Sequence, residues 1–396
     1  MNEVNALHNA LRSNRLDEAR QRMEQGEKLP KDLAPFDKSQ IYDVLARTKA
    51  YDLIDALIKD RIIETDIYEY EKLDGSIFEV LFRNGAKESV DLAYLESLLG
   101  KLDNINDAVQ DKTLLGIAFQ KSAPLEYIQL LADAGCNIRY KNNYEQNYLY
   151  LIAQEYAIKE DTGIAYLQYL LDEGLDPNEG NIVGETALHL SLRNKKNKYT
   201  DLLLERGADP NQPGKDGESA FYQAIVHYVC DAALYEKLTT YAPADFNAVN
   251  KNGETLLCGA LRMRRRGDDH ETTLIKALIR DGADVYQTSP WYQQDKAALD
   301  WVTEYPADML QAILDTGVIE TDRRDNQGNT LLHKVCGYNV NYDQEAARQL
   351  YRKVKLLLEH GADSSITNDA DQLPMDLAAQ DNLKSKTVEL LLKNKA

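Results

Sequence analysis

Few side chains in this sequence have the types and spacing that chemistry needs. It holds six histidines. His8, His189 and His333 follow short apolar runs, His227 stands alone, and His360 precedes Gly361 where a helix should end. A cation suits the carbonyl ends there. The segment Asp268-Asp269-His270-Glu271 has metal-ligand residue types. Adjacent residues in a loop converge on one ion only with partners from elsewhere, and none is evident. Solvated loop charge is the expectation there. No GxSxG, HExxH or GxxxxGK[ST] pattern occurs. Gly100-Lys101 and Gly214-Lys215 are followed by Leu102 and Asp216, without the hydroxyl a phosphate loop places on its metal. Cys136, Cys230, Cys258 and Cys336 lie far apart with no CxxC spacing. They suit buried apolar positions in a reducing compartment better than a disulfide framework or a zinc site. Carboxylate pairs are too common in so acidic a chain to mark acid–base work. The expectation is no catalysis, no cofactor and no metal.

The chain of 396 residues carries 46 Lys and Arg against 65 Asp and Glu, a formal charge of −19. Phosphate contacts need a basic face, so nucleic acid is excluded as a partner, and anionic lipid with it. Apolar residues make up 43% and charged residues 28%, as in a folded protein rather than a disordered one. No stretch approaches the roughly 20 apolar residues of a membrane helix. The charged amino terminus has no apolar core of a signal peptide, so a cytoplasmic location is expected. The 24 tyrosines outnumber the 6 phenylalanines. Rings with a polar tip suit half-exposed contact surfaces.

The elements that position these residues come from an internal repeat. GETALHLSL (184–192) with YTDLLLERGADPN (199–211) recurs as NGETLLCGAL (252–261) with LIKALIRDGADV (274–285). It recurs again as QGNTLLHKV (327–335) with VKLLLEHGADSS (354–365). Eleven positions align on the Thr: Asn5, Gln40, Ser76, Thr113, Asn147, Thr186, Ser219, Thr255, Ala297, Thr330 and Leu373. A hydroxyl or amide there can N-cap a first helix. Leu188 and Leu332, two residues on, should point into a shared core. Val354, Leu357 and Leu358 give a second helix its apolar stripe. Gly135, Gly174, Gly207, Gly282, Gly317 and Gly361 fall where a helix ends on a left-handed residue. No unit buries its own apolar face, so the units must stack.

This pattern resembles the ankyrin repeat, which starts with Gly-x-Thr-Pro-Leu-His and ends with Gly-Ala-Asp. The resemblance implies an all-α solenoid of about eleven stacked helix-turn-helix units with short finger turns. It runs from about 107 to 396. Residues 1–106 keep the period and the paired helices but lack Gly-Ala-Asp. They are either divergent repeats or a helical cap. The resemblance implies a structural role for the motif histidines, His189, His333 and His8, as bonds between neighbouring repeats. It also implies that a partner protein binds the fingers and the concave face. Carried over, the partner-binding positions include Tyr144, Glu185, Glu218 and Glu254 in fingers, with Tyr305 and Tyr338 in first-helix tails. Gln146, Val183, Asp216, Lys251, Gln327, Asn329, Arg193 and Arg262 belong to the same sets.

Two fingers stand out. Residues 64–74, ETDIYEYEKLD, hold Asp66, Tyr68, Glu69, Tyr70 and Glu71. Alternation in an extended segment would place acids and rings on opposite sides. The segment is either an anchor for a basic, partly apolar surface or a pair of rings packed on the next repeat. In Ser289-Pro290-Trp291-Tyr292, a Pro-initiated turn presents Trp291 and Tyr292 either to a partner or to a local core. Arg262, Arg264, Arg265 and Arg266 form a basic run expected to pair with Asp268, Asp269 and Glu271. Extra residues near 262–273 and 338–352 should lengthen the joins between paired helices. Acidity is densest over 51–100, with 5 basic and 12 acidic residues, a net of 5 − 12 = −7. The expected function is non-catalytic binding of a protein with a basic surface by a chain that is monomeric when free. The ankyrin proteins that accompany bacterial toxins suggest an inhibitor or immunity protein. An effector that captures a host protein is the alternative, and an enzyme hidden in residues 1–106 a more distant one.

Overall fold

The structure is a computed structural model describing residues 6–85, 88–228, 231–263, 269–292 and 294–394. Asn5, Cys230, Arg264, Arg265, Arg266 and Asp268 lie outside the described residues, so the basic run beyond Arg262 does too. The chain divides into two compact units, Met1–Ala208 and Asp209–Ala396.

The first unit holds helices α1 (Ala6–Arg12), α2 (Leu16–Glu24), α3 (Pro35–Arg47), α4 (Tyr51–Lys59), α5 (Ile77–Asn84) and α6 (Ser89–Leu99). It continues with α7 (Leu114–Gln120), α8 (Leu125–Asp133), α9 (Tyr148–Gln154), α10 (Glu160–Asp172), α11 (Ala187–Arg193) and α12 (Asn197–Glu205). They come as pairs, and each odd-numbered helix packs on the next odd-numbered one. The second unit holds α13 (Ala220–Tyr222), which runs on as a π-helical turn over Gln223–His227, then α14 (Ala232–Thr239), α15 (Leu256–Met263) and α16 (Asp269–Arg280). A hairpin of β1 (Thr288–Trp291) and β2 (Gln294–Ala297) precedes α17 (Ala298–Glu304) and α18 (Ala307–Leu314). The unit ends with α19 (Leu331–Gly337), α20 (Gln344–Glu359), α21 (Pro374–Ala378) and α22 (Ser385–Asn394). Here odd packs on odd from α13 to α21, and even on even from α14 to α22. Each unit is therefore a stack of helix pairs whose core runs between successive layers. Leu188, Leu332, Val354 and Leu357 are fully buried in those seams, as their spacing requires.

The motif residues start the first helices as expected. Ser76, Thr113, Asn147, Ser219 and Thr330 each accept a bond from the backbone N–H three residues on. Ala297 and Leu373 have no acceptor to offer. At those two sites Asp300 and Asp376 instead accept from the cap residue's own N–H, each at 2.8 Å. Gln40 departs from the pattern: it lies inside α3, which starts five residues earlier at Pro35. Proline supplies the first-turn geometry there without needing a side-chain cap. The segment 288–297 is a true two-stranded hairpin rather than a simple turn. The extra residues of 338–352 mostly lengthen α20 to 16 residues rather than its preceding loop. His270 and Glu271 lie in the first turn of α16, not in a loop.

Candidate partner-binding surface

Five fingers each close on one polar side chain, Asn142, Asn181, Asn250, Asp325 or Asn368. Asn181 Oδ1 accepts from the N–H groups of Val183 and Glu185, both at 3.0 Å. Asn250 does the same for Asn252 and Glu254, and Asp325 for Gln327 and Asn329. Neighbouring tips are then knitted by a single backbone bond. Ile182 N–H donates to the Tyr144 carbonyl at 3.0 Å, Lys251 to Asp216 at 2.6 Å and Asp369 to Gln327 at 3.0 Å. Asn or Asp five residues before the aligned Thr is the sequence signal for this turn.

Beneath the fingers, His333 Nδ1 accepts from Thr330 N–H at 3.2 Å and lies 2.8 Å from its hydroxyl. Its Nε2 donates to the Gln372 carbonyl of the next repeat at 3.0 Å. Burial holds this imidazole below its ordinary pKa and therefore neutral. His189 makes the same cap to Thr186. His227 is not alone: its Nε2 lies 2.6 Å from Glu218 Oε2. His360 Nδ1 donates to the Leu356 carbonyl at 2.8 Å, at the helix end. Cys136, Cys258 and Cys336 are buried free thiols. Burial pushes the first and last up to about 12, which leaves them unreactive. Among the described residues no three His, Cys, Asp or Glu side chains gather as a metal site would need.

Several tyrosines work inside the stack, while others, Tyr68, Tyr144 and Tyr292 among them, are exposed as composition implied. Tyr148 bonds Thr113 at 2.7 Å, Tyr150 donates to Glu185 at 2.8 Å and Tyr235 to Asp281 at 2.8 Å. Tyr166 reaches the Ala123 carbonyl and Tyr222 reaches Glu254. In each case the ring fills the seam between layers while the hydroxyl bonds to a different repeat. Burial raises the hydroxyl pKa of Tyr148, Tyr166, Tyr222 and Tyr235, so these groups remain neutral donors.

The acidic finger divides its residues between core and solvent. Ile67–Glu69 is a short 3-10 turn rather than an extended strand, so the expected alternation of faces does not occur. Tyr68 is 73% exposed. Tyr70 turns inward, donates to the Glu64 carbonyl at 2.8 Å and meets Phe78 edge-on. Asp66 accepts from Tyr68 N–H at 3.0 Å and from Asn104 at 2.8 Å, which ties the finger to the next loop. Glu69 and Glu71 face solvent.

Tyr144 lies on a different fingertip, 63% exposed, beside Ile182 at 64% and Val183 at 49% on the neighbouring tip. The bond from Ile182 to Tyr144 makes these three one apolar patch. Glu185 and Glu254 are not free finger contacts. Glu185 is buried between Tyr150 and Arg193. Glu254 is buried under Tyr222 and takes two bonds from Arg262, at 2.6 and 2.9 Å. The repeated triad of Tyr, Glu and Arg joins adjacent repeats. Arg262 also lies over the Trp291 ring, 6.0 Å from its centroid. Trp291 packs edge-on against the buried Trp301 at 4.9 Å, while Tyr292 is 92% exposed. Tyr305 donates to the Leu261 carbonyl, while Glu218 lies 2.6 Å from His227 Nε2. Tyr338 is half-buried beside Lys353, whose Nζ lies 5.5 Å from the ring centroid.

Residues 115–214 match the family model of ankyrin repeats, in three copies. Residues 115–214 thus carry ankyrin repeats, and the paired helices of each unit fit an all-α solenoid. No curated protein matches it. Among solved structures it is similar to the ankyrin repeat domain of Bcl-3, described as a unique member of the IkappaB protein family. The two share 21% identity over 63% of this chain and 98% of that chain, with a TM-score of 0.48.

Proposed function

We infer that the ankyrin repeats make the chain a protein–protein interaction scaffold. We propose that it binds a protein with a basic surface, without catalysis, and neutralises it as an inhibitor or immunity protein neutralises a toxin or effector. The observation that carries this reading is the patch of Tyr144, Ile182 and Val183, three large side chains exposed side by side on knitted, ordered fingertips. Aromatic and aliphatic anchors held rigidly lose little entropy on binding. The formal charge of −19 and the exposed Glu69 and Glu71 favour a basic partner and speed its encounter. A surface that binds without converting its partner acts by occupancy, which is how an inhibitor works. The buried free thiols suit a reducing cytoplasm, and the free chain is proposed to be a monomer.

Affinity capture with the full chain from its native cells, followed by titration with the purified captured protein, tests this. A basic partner should bind more weakly as salt rises. Changing Tyr144 and Ile182 together to Ala should weaken it about tenfold or more. Affinity indifferent to that double change would remove the fingertips from the interface, and indifference to salt would remove the electrostatic part.

A further inference from the structure

The second unit contains a cleft that the repeat pattern does not account for. A cavity of about 880 Å³ lies between the hairpin Thr288–Ala297 and the finger of residues 325–329. One wall is β2 with Gln294, Asp295 and Lys296, the other is Asn326 and Gln327, and Asp300, Thr303 and Lys334 are among the residues between them. A bond that joins other fingertips is missing beside it. At the corresponding position of other fingers, Ile182, Lys251 and Asp369 donate their N–H to the preceding tip. Asn326 occupies that position here, and among the described residues its N–H and carbonyl make no backbone bond.

The facing edge of the hairpin is also open. Pro290 opposite Asp295 has no N–H to give, and Ala297 N–H is spent on Asp300. The hairpin bonds therefore fall at Ser289 with Lys296 and at Trp291 with Gln294, because bonded pairs alternate along an antiparallel ladder. That phase turns the N–H and carbonyl of Asp295 away from β1, to the side where β2 lines the cleft. Two short stretches of unpaired backbone thus border one gap.

The charges of the lining select what could enter. Lys334 is paired with Asp300 at 2.6 Å and Asp325 at 3.1 Å, and Lys296 with Glu304. Arg323 stacks on Tyr286 at 3.8 Å and lies 4.0 Å from Glu320, while Arg324 donates to the Thr367 carbonyl at 2.7 Å. Among the described residues no cation lies within ion-pair distance of the exposed Asp295. Every cation of the lining is engaged, and one carboxylate is left over.

We propose that this cleft takes an extended, basic segment of the partner protein. The segment adds to the Asp295 edge as a short strand, bonds across to Asn326, and sets a Lys or Arg side chain against the Asp295 carboxylate. This rests on the reading of the chain as a binder of basic proteins, but it uses the second unit and not the fingertips of Tyr144 and Ile182.

The test uses the full chain and a blocked pentapeptide of alternating threonine and arginine, with an alternating threonine and glutamate peptide as control. Amide NMR shifts should move at Asp295 and Asn326 with the arginine peptide and stay still with the control. Asp295→Asn should weaken the arginine peptide roughly fivefold, as loss of a partly exposed charge contact does. Asp295→Pro, which removes the N–H at an edge position, should abolish binding while Asn326 shifts revert to those of the free chain. If that variant unfolds, Asp295→Asn alone decides. Equal binding of the two peptides, unchanged affinity in Asp295→Asn, or shifts confined to the Tyr144 and Ile182 fingertips would each overturn the proposal. The Tyr144 and Ile182 double change should leave the peptide affinity unchanged, so loss of the cleft and loss of the wider binding role are told apart.

Discussion

Gly207 offers a measurement of how each layer is closed. It follows α12 with φ of +88°, the left-handed conformation that ends this helix. A side-chain carbon placed on it would meet nothing within 4 Å. Any cost of substitution therefore comes from the backbone alone, not from crowding. For residues with a β-carbon the left-handed region costs about 1–2 kcal/mol. Reduced freedom of the unfolded chain returns about 0.4–1 kcal/mol to alanine. Gly207→Ala should thus lose about 1 kcal/mol and Gly207→Val more than that, since branching narrows the region further. Gly207→Asn should lose least of the three, because Asn tolerates this region. The conformation serves three bonds: Gly207 N–H to Leu204, Ala208 N–H to Leu203 at 2.9 Å, and Asn178 to the Gly207 carbonyl at 3.0 Å. A solenoid confines such damage to neighbouring repeats. Hydrogen exchange at α12 is therefore the sharper assay, with equilibrium denaturation beside it. About 1 kcal/mol is roughly fivefold faster exchange of α12 amides. Wild-type exchange in Gly207→Val, or Asn costing as much as Val, would refute the argument.

Other expectations follow from burial. Tyr68→Ala should leave the melting temperature unchanged, whereas Tyr70→Ala should lower stability by about 3 kcal/mol, because only Tyr70 fills the seam against Phe78; equal behaviour in thermal melts would contradict the division of that finger. Tyr199 is fully buried, and among the described residues its hydroxyl has no hydrogen-bond partner. Tyr199→Phe should then be neutral or stabilising by about 1 kcal/mol, and a clear loss in urea denaturation would mean that the hydroxyl is satisfied. Lys353 is buried, donates to the Tyr305 carbonyl at 2.9 Å and also reaches that of Thr303. Burial pushes its ammonium down to about 8, below the value of about 10.4 in an unfolded chain. The unfolded chain then holds more protons between those values, so this residue makes stability rise with pH across that window. Urea titrations at pH 7.5 and 9.5 should show this rise, and its persistence in Lys353→Met would assign it to another group.

The fold was legible in the sequence because its causes are local and repeated. A capping hydroxyl, an apolar stripe and a terminal glycine recur at one period, and each acts within a single helix. Thr330, Leu332, Val354 and Gly361 do in the structure what their spacing requires. The role of His333 was legible only through resemblance, since its partner Gln372 lies 39 residues away. The surface was much less legible. Sequence placed Glu185, Glu254 and Tyr70 with Tyr68 and Tyr144 as finger residues. A finger position does not say whether the neighbouring repeat will claim the side chain.

That choice belongs to tertiary structure. Arg193 and Arg262 reach back over the finger of their own repeat, Tyr150 and Tyr222 reach forward from the repeat before, and together they enclose Glu185 and Glu254. Ile182, which no motif marked, joins Tyr144 because one backbone bond brings two tips together. Beside the cleft, a proline and a capping aspartate set the phase of one hairpin and turn the Asp295 backbone away from its partner strand. By itself the sequence determined the layers and their order, through interactions a few residues long. Which polar groups remain free for a partner was decided only when layers some 35 residues apart met, because burial and hydrogen bonding between them consume some side chains and leave others exposed.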